Sequence, residues 1–280
     1  MSIELKGVNK SYGETRALRD VTLTFGDNKI IGLLGRNGAG KTTMLKVISG
    51  LIFTDGGEVT VDGERAVEND KALGKMYLMS EETYYPGGMK IRDVFKWSKR
   101  FYPDFDEGYA ARLAAEFGLN QKKNVRSLST GYLSIFKLIV ALSVNTPYLF
   151  LDEPVLGLDA NHRELFYRLL LEKYAEKPST IVISTHLIEE IAALIEHVVI
   201  IKNGEILRDE PREDLLREGY TVAGAAALVD AYSENRRKIG EDSLGGLKTV
   251  YLLGPPDDVP AGLEVSGLDL QKLFIRLTNS

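Results

Sequence analysis

Apolar and polar positions change period along this chain, and the changes mark its elements. Residues 3–8 and 21–25 alternate (Ile3, Leu5, Val8; Val21, Leu23, Phe25), as does GEVTVDG at 57–63. That period of two predicts strands buried on one face and a largely antiparallel layer near the N-terminus. Set into this layer is KIIGLLG at 29–35, a continuous apolar run typical of a strand buried on both faces. A helical stretch, KTTMLKVISGL, follows it. From Ile91 to Leu119 the spacing is helical, in IRDVFKWSKRFY and DEGYAARLAAEFGL, divided by Pro103. LSTGYLSIF at 128–136 then opens another helix.

Two more doubly buried strands, YLFLD at 148–152 and TIVIST at 180–185, are each followed by a helical segment. HVVIIKNGEIL closes the series as a strand pair around Asn203-Gly204. Buried strands alternating with helices predict an α/β core with a parallel sheet and a helical insertion at about 90–145. After about residue 210 the character shifts. GYTVAGAAALVDAY, LKTVYLLG, GLEVSG and LDLQKLFIRLT read as a small appended α/β unit over 211–280.

Composition narrows the function classes. The 280 residues are ample for one large domain, or one domain plus an appendix. A net charge of −5 gives no general attraction to nucleic acid. The absence of cysteine excludes disulfides and thiolate metal sites, and His162, His186 and His197 lack metal-ligand spacing. The N-terminus has no apolar core of a signal peptide, and no run approaches the ~20 residues that span a bilayer. The densest run, IFKLIVALSVN, is short and carries Lys137. A cytoplasmic chain is expected, with any link to a membrane made through a partner.

GRNGAGKTT at 35–43 fits the Gly-x4-Gly-Lys-Thr pattern between a buried strand and a helix. Gly35, Asn37, Gly38, Ala39 and Gly40 would curl backbone N–H groups around phosphates at a helix N-terminus. Lys41 would bridge the β- and γ-phosphates, and the Thr42 hydroxyl would help hold Mg²⁺, beside Thr43. A Gly-rich turn without ligand is the competing reading. YLFLDEP ends a buried strand on Asp152 and Glu153, at the edge where open α/β sheets bind ligands. Asp152 would orient the Mg²⁺ shell, and Glu153 would polarise an attacking water as general base. His186 ends the next strand, either as a structural residue or as a sensor of the γ-phosphate.

With these motifs in this order, the chain resembles the ATP-binding subunit of ABC transporters over residues 1 to about 210. The resemblance implies a P-loop ATPase core with an antiparallel layer and a helical subdomain, working with ATP and Mg²⁺. It makes Tyr12 the aromatic that stacks on adenine, Glu153 the catalytic glutamate, Asp159 the D-loop aspartate and His186 the switch histidine. It also makes residues 128–132 the signature, Leu-Ser-Gly-Gly-Gln in most of the family. Two such subunits, identical or related, pair head to tail, each ATP held between one P-loop and the partner's signature. Ser129 and Gly131 then supply donors to the γ-phosphate, while Ser129 also caps its own helix. Thr130 stands where the family has glycine, so a positive φ there would be strained. Tyr132 replaces the usual glutamine.

At the Q-loop, MYLMSEETYYPG aligns Glu81 with the family's glutamine, and a one-residue shift would select Ser80 or Glu82. A carboxylate there can also ligate Mg²⁺ or its waters. The acidic Q-loop and loosened signature resemble bacterial ABC-2 exporter subunits that use a separate integral membrane permease. That resemblance implies the cytoplasmic face of the cell membrane as location and no nucleic-acid partner. Tyr84, Tyr85, Pro86 and Met89 would dock a permease helix or pack beneath the helical insertion. Two other readings stay open: a weakly hydrolysing regulatory subunit, and an ABC ATPase acting on ribosomes or DNA. The latter's usual two cassettes or coiled-coil insertions are not seen.

Overall fold

The N-terminal alternation builds a curved antiparallel sheet. In the computed structural model, which describes residues 1–26 and 28–279, strand β1 (Ile3–Tyr12) pairs with β2 (Thr15–Phe25) on one side. On its other side lies β4 (Gly56–Val61), edged by the short β5 (Glu64–Arg65). Ile3, Leu5, Val21, Leu23, Phe25, Val59 and Val61 point inward and are buried, as a period of two requires.

The apolar run at 30–34 does not join this layer, contrary to the reading from its position. Strand β3 (Ile30–Leu34) lies inside a six-stranded sheet of order β10-β9-β3-β8-β7-β6. The other strands of that sheet are β6 (Met76–Met79), β7 (Tyr148–Asp152), β8 (Thr180–Thr185), β9 (His197–Lys202) and β10 (Glu205–Pro211), with β8 and β9 flanking β3. The physical reason is burial. Every residue of β3, β7 and β8 is buried, so these strands need cover on both faces, which parallel strands with flanking layers provide. β10 returns antiparallel to β9 through Asn203 and Gly204, both at positive φ.

One core lies between the two sheets around α1 (Lys41–Ile48), with Phe25 meeting Phe150 edge-on at 6.1 Å. Near it runs the single turn of α2 (Asp70–Leu73). A second core covers the other face of the central sheet, where α3 (Ile91–Phe101), α4 (Glu107–Glu116) and α5 (Thr130–Ser143) form the helical insertion. Helix α6 (Ala160–Glu176) and the turn α7 (Ile188–Ile191) complete that side.

Beyond β10, α8 (Arg212–Arg217) leads into a third sheet, order β12-β13-β11-β14. Its strands are β11 (Gly219–Ala225), β12 (Lys238–Leu244), β13 (Leu247–Leu253) and β14 (Leu263–Gly267). Helix α9 (Ala226–Ser233) closes a small core with Tyr220, Val222 and Val250. The last helix, α10 (Leu270–Asn279), turns back, and its Leu270, Leu273 and Phe274 enter the core that holds Ile188 and Ile191. Among the described residues no helix is long and apolar enough to cross a membrane.

Candidate functional site

Parallel register brings the chemistry to one edge. Leu34 pairs with Thr185, Met79 with Leu151, and Asp152 with Ser184. The segments leaving β3, β6, β7 and β8 therefore emerge together at the carboxyl end of the sheet. They line a cleft of about 450 Å³ formed by Thr15, Ala17, residues 37–43, Glu81, Asp152, Glu153, Leu156 and His186.

The glycine loop turns tightly at Gly40, where φ is 112° and an added Cβ would lie 2.5 Å from the Ala17 carbonyl oxygen. No other residue fits there, and Gly40 is also the N-cap of α1. The unpaired N–H groups and positive end of α1 thus open onto the loop. Lys41 Nζ donates to the carbonyls of Gly35 at 2.7 Å and Arg36 at 3.4 Å, holding the ammonium inside the loop. Burial pulls its pKa below the usual lysine value, while Glu153, Asp152 and Glu81 pull it back up.

Asp152 accepts from the Thr42 hydroxyl and the Ser184 hydroxyl, each at 2.7 Å. Burial nevertheless raises its pKa above the ordinary aspartate value. A buried carboxylate touching a hydroxyl is an all-oxygen donor set that suits a hard dication. Among the described residues no group of three or more His, Asp or Glu side chains gathers as a metal site. Mg²⁺ held with phosphates needs no such group, since it takes only one or two carboxylates beside water and phosphate oxygens. Thr42 and Asp152, with Glu81 on the cleft wall, fit that role.

Glu153 has a positive φ of 47°, a strained conformation for a side-chain-bearing residue. Its carboxylate is fixed by the end of β8. The Thr185 hydroxyl donates at 3.0 Å, the His186 backbone N–H at 3.1 Å, and His186 Nδ1 lies 2.9 Å away. An ionised carboxylate only accepts, so Nδ1 carries the proton and Nε2 is the nitrogen left for a ligand. Ser184 and Thr185 were missed in the sequence, although the strand TIVIST displays them in line.

Of the possible Q-loop registers, Glu81 lines the cleft. Glu82 pairs instead with Lys46 at 2.8 Å and accepts from the Tyr84 hydroxyl at 2.6 Å, while Ser80 is buried. Tyr12 stands half-exposed at the hairpin tip and is not on the cleft wall, which Thr15 and Ala17 of the returning strand β2 line instead.

Ser129, Gly131 and Asp159 do not line the cleft of their own chain. Ser129 caps α5 by accepting the Tyr132 N–H at 3.4 Å, and Asp159 caps α6 by accepting the His162 N–H at 3.0 Å. Thr130 is the first residue of right-handed α5 and does not take the positive φ that would have strained it; a helical φ suits any side chain. Gly131 answers a different constraint, because an added Cβ would lie 2.9 Å from the Gly157 carbonyl oxygen. The Ser134 hydroxyl donates to the Leu156 carbonyl at 2.9 Å. The start of α5 and the loop after Glu153 therefore form one packed surface.

A second groove, lined by Leu51, Leu73, Tyr77, Ser80, Glu82, Tyr84, Tyr85, Tyr102 and Lys137, runs beside the Q-loop. Tyr84 and Pro86 are exposed, whereas Tyr85 and Met89 pack against the core. Tyr85 meets Phe136 edge-on at 5.1 Å, its hydroxyl lies 2.6 Å from that of Tyr77, and burial pushes its pKa up to about 12.

A mostly parallel sheet, a phosphate loop between a central strand and α1, an antiparallel layer and a helical insertion define the P-loop nucleotide hydrolase fold of ATP-binding cassettes. Comparison with known proteins agrees. The family model described as ABC transporter matches residues 18–156. The ABC transporter ATP-binding protein YtrB of Bacillus subtilis (strain 168) is 30% identical over 77% of this chain and 75% of its own length. The petrobactin import ATP-binding protein YclP of the same strain is 29% identical over 76% of this chain and 88% of its own. A dimeric structure of the ATP-binding cassette MJ0796, in a post-hydrolysis state with ADP and Pi, superposes with a TM-score of 0.66. It is 25% identical and covers 75% of this chain and 98% of that one. The chain belongs to the ABC transporter family, as an ATP-binding cassette ATPase subunit. Domains of this family bind ATP, generally with Mg²⁺, and work as dimers with membrane permeases.

Proposed function

We propose that this chain powers an exporter of the ABC-2 type by closing on a second cassette, identical or related, when ATP binds, and reopening after hydrolysis. The observation that carries the reading is the fixed pair of contacts at one sheet edge, Thr42 to Asp152 and Glu153 to His186. Residues 35–43 cradle the triphosphate, Lys41 meets its outer phosphates, and Tyr12 stacks on the base. Thr42, Asp152 and Glu81 would hold Mg²⁺, which would supply charge neutralisation at the phosphate oxygens. Glu153 accepts the proton of the attacking water, and His186 Nε2 faces the γ-phosphate.

Ser129 and Gly131, outside their own cleft, complete the partner's site, with Asp159 at the same interface. The groove beside Glu81 receives a permease helix, which places the chain at the cytoplasmic face of the cell membrane. Export rather than import is favoured by the acidic Q-loop and the Ser-Thr-Gly-Tyr signature; relatives of similar identity include an import protein. Residues 211–280 act as an accessory region to an ATPase domain of residues 1–210.

Steady-state turnover by the purified chain tests the chemistry. Glu153→Gln should lower kcat by about 10²- to 10⁴-fold while ATP binding persists. Undiminished turnover in that variant would remove Glu153 from the mechanism.

A further inference from the structure

Lys137 lies in the interior of α5 between Phe136 and Leu138, both fully buried, and is itself only 6% exposed. A buried ammonium must find acceptors for its N–H groups. It finds them on another element, since Nζ donates to the carbonyl oxygens of Ser80 at 3.1 Å and Glu81 at 2.5 Å. Those carbonyls follow the last residue of β6 and belong to the loop whose Glu81 lines the nucleotide cleft. The same lysine lines the neighbouring groove with Ser80, Glu82 and Tyr85. Along α5 it sits roughly two helical turns beyond Ser129.

Packing of α5 alone gives no reason for a lysine here, since an apolar side chain of similar length would fill the space; what such a side chain would lose is the donor to the Ser80 and Glu81 carbonyls. Burial lowers the lysine's pKa, opposed by the carboxylates of Glu81 and Glu82. Those two acids lie on the clamped loop rather than on α5, so the attraction acts between the elements.

We propose that Lys137 is a positioning residue that clamps the Ser80–Glu81 backbone to α5. The clamp holds the Glu81 carboxylate at the nucleotide cleft and carries any shift of this loop to Ser129 at the head of the same helix. A partner seated in the groove would thereby act on both half-sites through one side chain. The inference rests on the reading of Glu81 and Ser129 as nucleotide-facing residues.

The test uses the full chain and the variants Lys137→Met, Lys137→Arg, Glu81→Gln and the Glu81→Gln/Lys137→Met double. Binding of a fluorescent ATP analogue is titrated with and without Mg²⁺, alongside kcat and KM. Lys137→Met should stay folded at the assay temperature, with a modest fall in melting temperature from the two carbonyls left without this donor, and should keep its Mg²⁺-free binding. Its half-saturating Mg²⁺ should shift several-fold, and kcat should fall about ten-fold with KM close to wild type. Lys137→Arg, which retains N–H donors, should recover part of both, and the Met effect should shrink when Glu81 is already Gln. Wild-type Mg²⁺ half-saturation and kcat in Lys137→Met would overturn the proposal. So would losses that track the unfolded fraction with no recovery by Arg. If the wild-type chain fails to hydrolyse ATP, the hydrolytic reading falls, and the Mg²⁺ titration of binding still decides Lys137.

Discussion

Asp152 is held between opposed demands. Burial disfavours its charge, and two hydroxyl donors favour it, with burial the larger influence. A carboxyl whose native pKa is raised binds its proton more tightly folded than unfolded. Its contribution to stability therefore falls as pH rises above the ordinary value of 3.8, and the ionised form is a net liability at neutral pH until a cation arrives. Asp152→Asn is thus expected to stabilise the nucleotide-free chain at neutral pH, and the gain should shrink on acidification toward 3.8. Urea unfolding at several pH values reads this directly. The same variant should lose about ten- to a hundred-fold in Mg²⁺-dependent nucleotide affinity. At this scale the sequence was most informative where a side chain ends or directly follows a buried strand, as Asp152, Glu153 and His186 do, or sits in a glycine-patterned loop before a helix, as Lys41 does. It was silent where a role depends on what lies opposite. Lys137 reads as a stray charge in an apolar helix, and only the fold shows two carbonyls in front of it.

Helix α5 joins the two functions at the scale of elements. Its N-terminus is capped by Ser129 through a long contact of 3.4 Å, so truncation to alanine should cost near the low end of cap energies, about 0.5 kcal/mol. Ser129→Arg should likewise leave the isolated chain folded, because the position is exposed. A large effect on turnover from either variant, with little change in stability, would come from the partner's site. Equal losses of turnover and stability would instead leave Ser129 as a cap only. Helix and strand types followed from periodicity, but sheet membership did not. β3 was expected within the antiparallel layer because it is close to it in sequence. The order of the central sheet is set by which buried strands can be covered on both faces, a property of long-range packing. β6 went unread because its short apolar run, MYLM, ends in the polar loop that drew attention.

For the whole molecule, the appended unit is not a free passenger. α10 places Leu273, fully buried, in the core shared with α7, just after His186. Leu273→Ala should destabilise the chain by about 2–5 kcal/mol. Unfolding should stay a single transition if the C-terminal sheet and the cassette are one cooperative unit, and calorimetry would show two if they are not. The change of character near residue 210 was visible in the sequence, whereas the return of α10 was not, since its partners Ile188 and Ile191 lie far back in the chain. The central claim concerns two copies or relatives of this molecule, with the cleft of one completed by Ser129 and Gly131 of the other. Sedimentation of the Glu153→Gln chain, with and without ATP, tests it most directly. The account predicts monomer without nucleotide, dimer with ATP, and monomer again when Ser129→Arg is added; a chain that stays monomeric at saturating ATP, or a dimer indifferent to both ATP and Ser129→Arg, would contradict it.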